Sequence, residues 1–215
     1  MVSILRLFRL GTRFAAWATP HVREWHRKRH LNRSEGERHL QAGNHSEAEK
    51  HLTLAIAEAE QRRYSVAKRI QLQLALAEAQ REQGKLMEAE RSLRTAILDA
   101  VKERDSAMQA VCLDGLAQVL LARGDFRDAE STIQQAMSLE PSMPRPDPQA
   151  TARRARQLAI ALQKDGRLND AMPAFQKALA LHEQAYGAEH VETANLLSEV
   201  AAIQHDQGNH TEAQR

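Results

Sequence analysis

The sequence predicts an all-α protein built from repeated helical hairpins. Aromatic residues make up only 4% of the 215 residues, and Gly and Pro number 9 and 6, so the composition favours helix over strand. Five glycines recur at spacings of 40 to 42 residues, namely Gly43, Gly84, Gly124, Gly166 and Gly208. An alanine follows each of them by five residues: Ala48, Ala89, Ala129, Ala171 and Ala213. A period this regular indicates tandem repeats.

Residues 1–20 are predicted to form a basic amphipathic helix ahead of the repeats. Arginines at helical spacing take one side and apolar residues take much of the other. The residues that would contact an anionic surface are Arg6, Arg9, Arg13, Phe8 and Trp17. Because arginines interrupt every apolar run, we expect neither a transmembrane helix nor a secretory signal here. Three roles stay open: a helix lying in a membrane interface, a mitochondrial presequence, or a helix docked on the first repeat.

The charge of the chain is unevenly distributed. Residues 1–33 hold eight Arg or Lys against one acid, a net +7 that leaves −5 for the rest of a chain whose total is +2. A basic head of this kind favours an anionic membrane surface or an acidic protein as its partner. The single cysteine, Cys112, excludes an internal disulfide and favours a reducing compartment. We therefore expect a cytoplasmic location, with a peripheral membrane or mitochondrial location as alternatives.

Residues 21–215 are predicted to form four complete hairpins and a fifth that is truncated at Arg215. In each hairpin the glycine ends one helix in a left-handed cap, and a second helix follows two to three residues later. Apolar residues nine, twelve and thirteen positions after the glycine share one helix face. A small residue precedes each glycine by seven positions, which permits close helix approach: Gly36, Ala77, Ala117, Ala159 and Ala201.

Several local features refine this frame. Ser46 with Glu49, and Thr211 with Gln214, have the spacing of a capping box that would start the second helix. Residues 141–149 contain four of the six prolines, and we expect an extended connector there. The first repeat carries Glu35 where the other repeats carry an apolar residue, which is typical of the polar end of a solenoid.

This pattern resembles the tetratricopeptide repeat family, and Leu116–Pro141 carries its fullest version. The period of about 42 residues resembles the longer repeat of kinesin light chains and related bacterial proteins, most clearly in "AYGAEHVETANLLSEV". Ser198 and Glu199 stand where those relatives carry asparagines, so a kinesin-type cargo role is not supported. The resemblance implies a right-handed superhelix whose first helices line a concave groove.

The resemblance also implies a function, that of a non-catalytic scaffold which binds a segment of a protein partner in the groove. The groove positions that it implies include Arg153, Arg156, Gln163, Asp114, Gln118, Glu78, Arg81 and Asn195. Arg153 and Arg156 are the best candidates for contacting an anion. Two alternatives stay open: a membrane-associated assembly subunit anchored by residues 1–20, or the sensor portion of a longer regulator or enzyme. We expect no nucleic-acid partner, and the oligomeric state is not predicted.

No residues with the spacing of a catalytic or cofactor site are found in the sequence. Phosphate-binding glycine loops, nucleophile elbows and HExxH motifs are absent. His26 and His30 could chelate a metal at i, i+4, but no further ligand except Glu24 lies nearby, so no metal site is predicted. His45 and His210 occupy a corner position that is apolar in other repeats, where we expect them to pack. We predict no enzymatic activity and no cofactor.

Overall fold

The computed structural model describes residues 31–206. Within that range the chain forms nine α-helices, one short 3₁₀ turn and no strand, which confirms the all-α prediction. The helices are α1 (Leu31–Gln41), α2 (His45–Gln61), α3 (Val66–Glu82), α4 (Leu86–Glu103), α5 (Ser106–Arg123), α6 (Phe126–Ser138), α7 (Pro148–Lys164), α8 (Leu168–Tyr186) and α9 (Val191–Asp206), with the 3₁₀ turn at Glu140–Ser142.

The helices pack in chain order as a solenoid of hairpins. Each helix contacts the next one along the chain, and the pairs α1–α2, α3–α4, α5–α6 and α7–α8 form four hairpins. The first helices of successive hairpins also meet, because α1 contacts α3 and α3 contacts α5. Each hairpin therefore packs only on its neighbours, which is how a repeat protein builds a continuous core.

The glycine corners have the backbone conformation that the sequence predicts. Gly43, Gly84, Gly124 and Gly166 have φ of 73°, 74°, 90° and 78°, the left-handed region in which a side chain is strained. After each of these corners the alanine at the fifth position has no exposed surface. The corner therefore reverses the chain sharply, and the alanine lets the two helices of the hairpin come into contact.

The predicted apolar positions form the core. Leu52, Leu93, Ile133 and Phe175, nine residues after the four glycines, are at most 1% exposed. Their neighbours leave no room for larger groups, since a Cβ added to Gly36 would lie 2.8 Å from Cγ of Leu52. Small residues at the predicted positions are thus required by packing.

The predicted capping box at Ser46 is wrong. Helix α2 begins at His45 with Asn44 as its N-cap, and no side chain caps it. Ser46 therefore lies inside the first turn, too late in the chain to accept from an orphan backbone N–H. Glu49 instead accepts hydrogen bonds from Gln83 and Lys85 of the next hairpin. The matching pair at Thr211 and Gln214 lies outside the described residues.

The proline-rich connector is shorter than the predicted segment 141–149. Pro141 belongs to the 3₁₀ turn, and Pro148 is the first residue of α7, where its missing N–H costs nothing. The Asp147 side chain caps this helix by accepting from the backbone N–H of Gln149 at 2.9 Å. Only residues 143–147 lie outside helical structure, and both ends of this segment, Met143 and Asp147, have extended backbone.

The first hairpin presents a polar side where later hairpins are apolar. Arg38 donates to Glu35, whose counterparts Leu76 and Leu116 are 7% and 4% exposed.

None of the described helices is both long enough and apolar enough to cross a membrane. The predicted helix in residues 1–20 lies outside the described residues.

Candidate binding groove

A cavity of about 570 Å³ opens between the first helices of three successive hairpins. Its walls come from α3, α5, α7 and the connector that precedes α7. Leu74 and Val111 contribute apolar surface on α3 and α5, and Met143 does so on the connector. Val111 remains 48% exposed, so this wall is open to a ligand.

Five of the predicted groove residues line this cavity, and three do not. The five are Glu78, Arg81, Asp114, Gln118 and Arg153. Arg156, Gln163 and Asn195 lie outside it, towards the last hairpin. Among the five, Glu78 and Gln118 are exposed and form no hydrogen bond or ion pair with any described residue. They are therefore available to a partner.

Asp114 is held by an arginine that the sequence reasoning missed. Arg154 is only 4% exposed and donates to both carboxylate oxygens of Asp114, at 2.7 and 2.8 Å. The same guanidinium donates to Glu140 at 3.0 Å, and the Thr151 hydroxyl donates to Glu140 at 2.9 Å. This clamp joins α5, the 3₁₀ turn and α7 behind the cavity.

Protonation within the clamp reflects its burial. Removal from water raises the pKa of Asp114 above its ordinary value, against the hydrogen bonds from Arg154. Burial acts to lower the pKa of Arg154, but hydrogen bonds to Asp114 and Glu140 outweigh it and raise that pKa. Arg154 therefore carries the positive charge that both carboxyl groups of the clamp face. The sequence did contain a signal for Arg154. It stands twelve residues before a corner glycine, and the residues at the same position in the two preceding hairpins, Leu72 and Cys112, are buried.

The two arginines proposed as anion ligands already have acceptors within the protein. Arg153 donates to the Tyr186 hydroxyl at 3.0 Å and lies 3.8 Å from Asp147. Arg156 donates to the Glu199 carboxylate, which raises the pKa of its guanidinium. Arg156 therefore ties α7 to α9, whereas Arg153 stays on the exposed rim of the cavity.

A family model decides the relationship of this chain to known proteins. The model, described as tetratricopeptide repeat, matches residues 68–140 and 149–215, well over half of the chain. The chain belongs to the tetratricopeptide repeat family. The interval between the two matched stretches coincides with the connector and the start of α7. Membership in this family supports a protein-interaction scaffold in general terms, and the repeat is generally non-catalytic.

Solved structures of other tetratricopeptide proteins share this fold. A kinesin light chain-like protein of nearly identical repeats from Podosopora anserina is 23% identical, with a TM-score of 0.71 over 86% of this chain and 91% of that chain. MamA from Desulfovibrio magneticus is 18% identical, with a TM-score of 0.63 over 87% and 89%. Aspartyl phosphate phosphatase F from Bacillus subtilis is 18% identical, with a TM-score of 0.75 over 86% of this chain and 48% of its own.

These likenesses show the fold alone, because all three identities are low. A search of curated proteins found no match to the sequence. The fold and the family are therefore established, while the partner must be inferred from the groove itself.

Ion pairs between corners form a second set of residues that the sequence reasoning missed. In three tetratricopeptide hairpins a glutamate six residues after the corner glycine accepts from a base beside the next corner glycine. The pairs are Glu49 with Lys85, Glu90 with Arg123, and Glu130 with Arg167. The repeating position of the glutamates was a sequence signal for this contact. These pairs lie at the helix corners, away from the cavity, and they link successive hairpins.

The remaining candidate residues have structural positions. Cys112 has no exposed surface, and burial raises the pKa of its thiol to about 12, so it is packed in the core and unreactive. His45 is half-buried at its corner, with Nδ1 enclosed and unpaired. No group of potential metal ligands occurs among residues 31–206. His26, His30, His210 and the basic residues of the head lie outside that range.

Proposed function

We propose that this tetratricopeptide protein is a non-catalytic scaffold that binds a segment of a protein partner in the groove between α3, α5 and α7. The observation that carries this proposal is the cavity, which is bounded by the first helices of three hairpins. Stacked repeats use such inner surfaces to hold extended or helical segments. Apolar wall residues next to unpaired polar groups are the composition expected of a recognition site.

The groove offers two kinds of contact. Val111 and Leu74 present apolar surface on which a partner side chain would become buried. Glu78 and Gln118 lie beside them, exposed and unpaired among the described residues, and supply an acceptor and an amide. Burial of the apolar contact would provide most of the affinity, and the polar groups would set the register of the partner segment.

Affinity capture from the native host tests this proposal with two matched variants. Val111→Arg places a charged side chain in the cavity, whereas Leu98→Arg makes the same kind of change on the second helix of a hairpin, where Leu98 is 61% exposed. We expect quantitative mass spectrometry to show partners that are retained by the wild-type chain and by Leu98→Arg but lost with Val111→Arg. Partners retained equally by all three proteins would refute groove binding.

A second function is favoured by the charge of the head, which carries +7 over residues 1–33. In it, residues 1–20 anchor the protein at the cytoplasmic surface of an anionic membrane while the repeats hold a larger assembly. Flotation with liposomes that contain phosphatidylserine tests this idea on the intact chain and on a chain lacking residues 1–20. Equal flotation of the two proteins would exclude the anchor, and it would leave the groove proposal intact.

A further inference from the structure

The connector before α7 alternates prolines with residues that face the groove. Met143, Arg145 and Asp147 all line the cavity, and each is followed by a proline with an exposed surface, at positions 144, 146 and 148. Proline fixes its own φ and keeps the preceding residue extended. The backbone is extended at Met143 and Asp147 and bends at residues 144 and 145 between them, and along this path all three non-proline side chains lie on the cavity.

Packing holds the connector strip, residues 143–147, in place. Met143 is half-buried and packs against the cluster that includes Leu113 of α5. At the other end, Asp147 caps α7 and lies near Arg153. Arg154 fixes the turn before the strip through Glu140. A rigid segment loses little entropy when it binds a ligand, which favours its use in recognition.

Arg145 is the charged residue of the strip that has no counter-ion among the described residues. It is exposed and has no hydrogen-bond or ion-pair partner among residues 31–206. By contrast, the two carboxylates on the same side are engaged: Asp114 by Arg154 and Asp147 by the start of α7. The connector side of the cavity therefore presents apolar Met143 beside an unpaired guanidinium, which is a geometry suited to a carboxylate.

We propose that the connector is one wall of the binding groove, and that Arg145 selects partner segments in which an acidic side chain lies within two residues of an apolar one. This inference rests on the proposed groove function and specifies its ligand. The apolar side chain occupies the cavity against Val111 and Met143. Its acidic neighbour then accepts hydrogen bonds from Arg145. A basic residue at that position would meet like charge and bind more weakly.

Panning a random 12-residue phage-displayed peptide library on the full chain tests the proposal. We expect enriched peptides to carry Asp or Glu within two residues of a large apolar residue. Synthetic copies of these peptides should bind Arg145→Glu at least tenfold more weakly than the wild-type chain by fluorescence polarisation. The matched reversal Arg91→Glu lies on α4, where the Arg91 side chain is 75% exposed, and it should leave affinity unchanged.

The outcomes separate this inference from the function on which it rests. If the peptides bind Arg145→Glu as tightly as the wild type but fail to bind Val111→Arg, the groove stands and the role of Arg145 is wrong. If enriched peptides bind Val111→Arg unchanged, or if none is enriched, both the groove and the selection by Arg145 are wrong. Circular dichroism and thermal unfolding of each variant confirm that lost binding reflects the surface and not the fold.

Discussion

The junction between α3 and α5 differs in chemistry from the junction between α5 and α7. At the first, an apolar cluster that includes Ala77, Leu93 and Leu116 runs through four helices, α3 to α6. At the second, the backbones approach each other less closely, and buried Arg154 joins Asp114 and Glu140. Ala117, Ile133 and Ala161 also form an apolar cluster at this second junction, so one solenoid can join its hairpins by apolar packing alone or by apolar packing together with a polar clamp. The clamp borders the cavity, which Asp114 and Arg154 both line.

Removing the clamp should have the largest effect on stability. Arg154→Met keeps much of the side-chain volume but leaves two carboxylates facing each other without their cation. We expect the free energy of unfolding to fall by about 3 kcal/mol, as when one partner of a buried ion pair is removed. Urea denaturation followed by circular dichroism measures it. Arg153→Met, one residue away and exposed, is the control and should cost little. Equal losses of unfolding free energy from the two substitutions would mean that the buried ion pairs of Arg154 add no more stability than the exposed contacts of Arg153.

Overpacking a regular corner should have the next largest effect. Ala129 has no exposed surface, and Ala129→Leu would force α5 and α6 apart, with an expected cost of about 1–3 kcal/mol. Ala57→Leu makes the same change at an exposed position of α2 and should be nearly neutral. The same denaturation experiment compares them. A neutral Ala129→Leu would argue against close helix contact at the corner.

Glycine introduced at a turn between two hairpins should stabilise the protein, whereas the leucine introduced at a corner within a hairpin should destabilise it. Arg104 ends α4 with φ of 57°, a left-handed conformation that the corners within hairpins assign to glycine. Arg104→Gly relieves this strain and should raise the free energy of unfolding by up to about 1 kcal/mol. Thermal unfolding would show this as a higher midpoint. Lys102→Gly, inside the last turn of the same helix, should lower the midpoint instead. Destabilisation by Arg104→Gly would show that its side chain has a contact worth more than the strain.

The ion pairs between corners should have the smallest effect, and it should depend on pH. Hydrogen bonds from Arg94 and then Arg123 lower the pKa of Glu90 below its ordinary value of 4.5. Because the folded pKa is the lower one, the stabilisation is complete above the unfolded pKa and is lost as pH falls through the folded pKa. Arg94 is largely exposed, so we expect less than about 1 kcal/mol. Glu90→Gln should reduce the difference in unfolding free energy between pH 7 and pH 3. An unchanged difference would contradict the pairing.

Features that recur in every repeat could be predicted from the sequence, and features that occur once could not. The corner glycines, the buried alanines and the small residues were predicted because five copies of each position average out local variation. Ser46 was placed wrongly because its helix begins two residues earlier than the capping pattern implies. Arg154 was missed because its role depends on two acids from other elements, one of them 40 residues away.

The candidate groove shows the same division. Glu78 and Gln118, which the repeat pattern assigns to the groove, line the cavity, and their role in binding stays a prediction. The repeat pattern could not show that Arg156 is satisfied by Glu199 of the next hairpin, nor that the connector forms part of the wall. The Arg156–Glu199 pair and the connector wall both depend on contacts that do not recur from one repeat to the next.

The pairs between corners also have consequences for exchanging the repeats. Each pair takes its acceptor from the earlier hairpin and its donor from the later one, so the contact has a direction along the chain. The first three hairpins carry the acceptor, but the fourth has Met172 at that position. A duplicated second or third hairpin would join at both ends, whereas a copy of the fourth inserted earlier would interrupt the series. The modules of this solenoid are therefore ordered parts, and only some of them can be transplanted without loss.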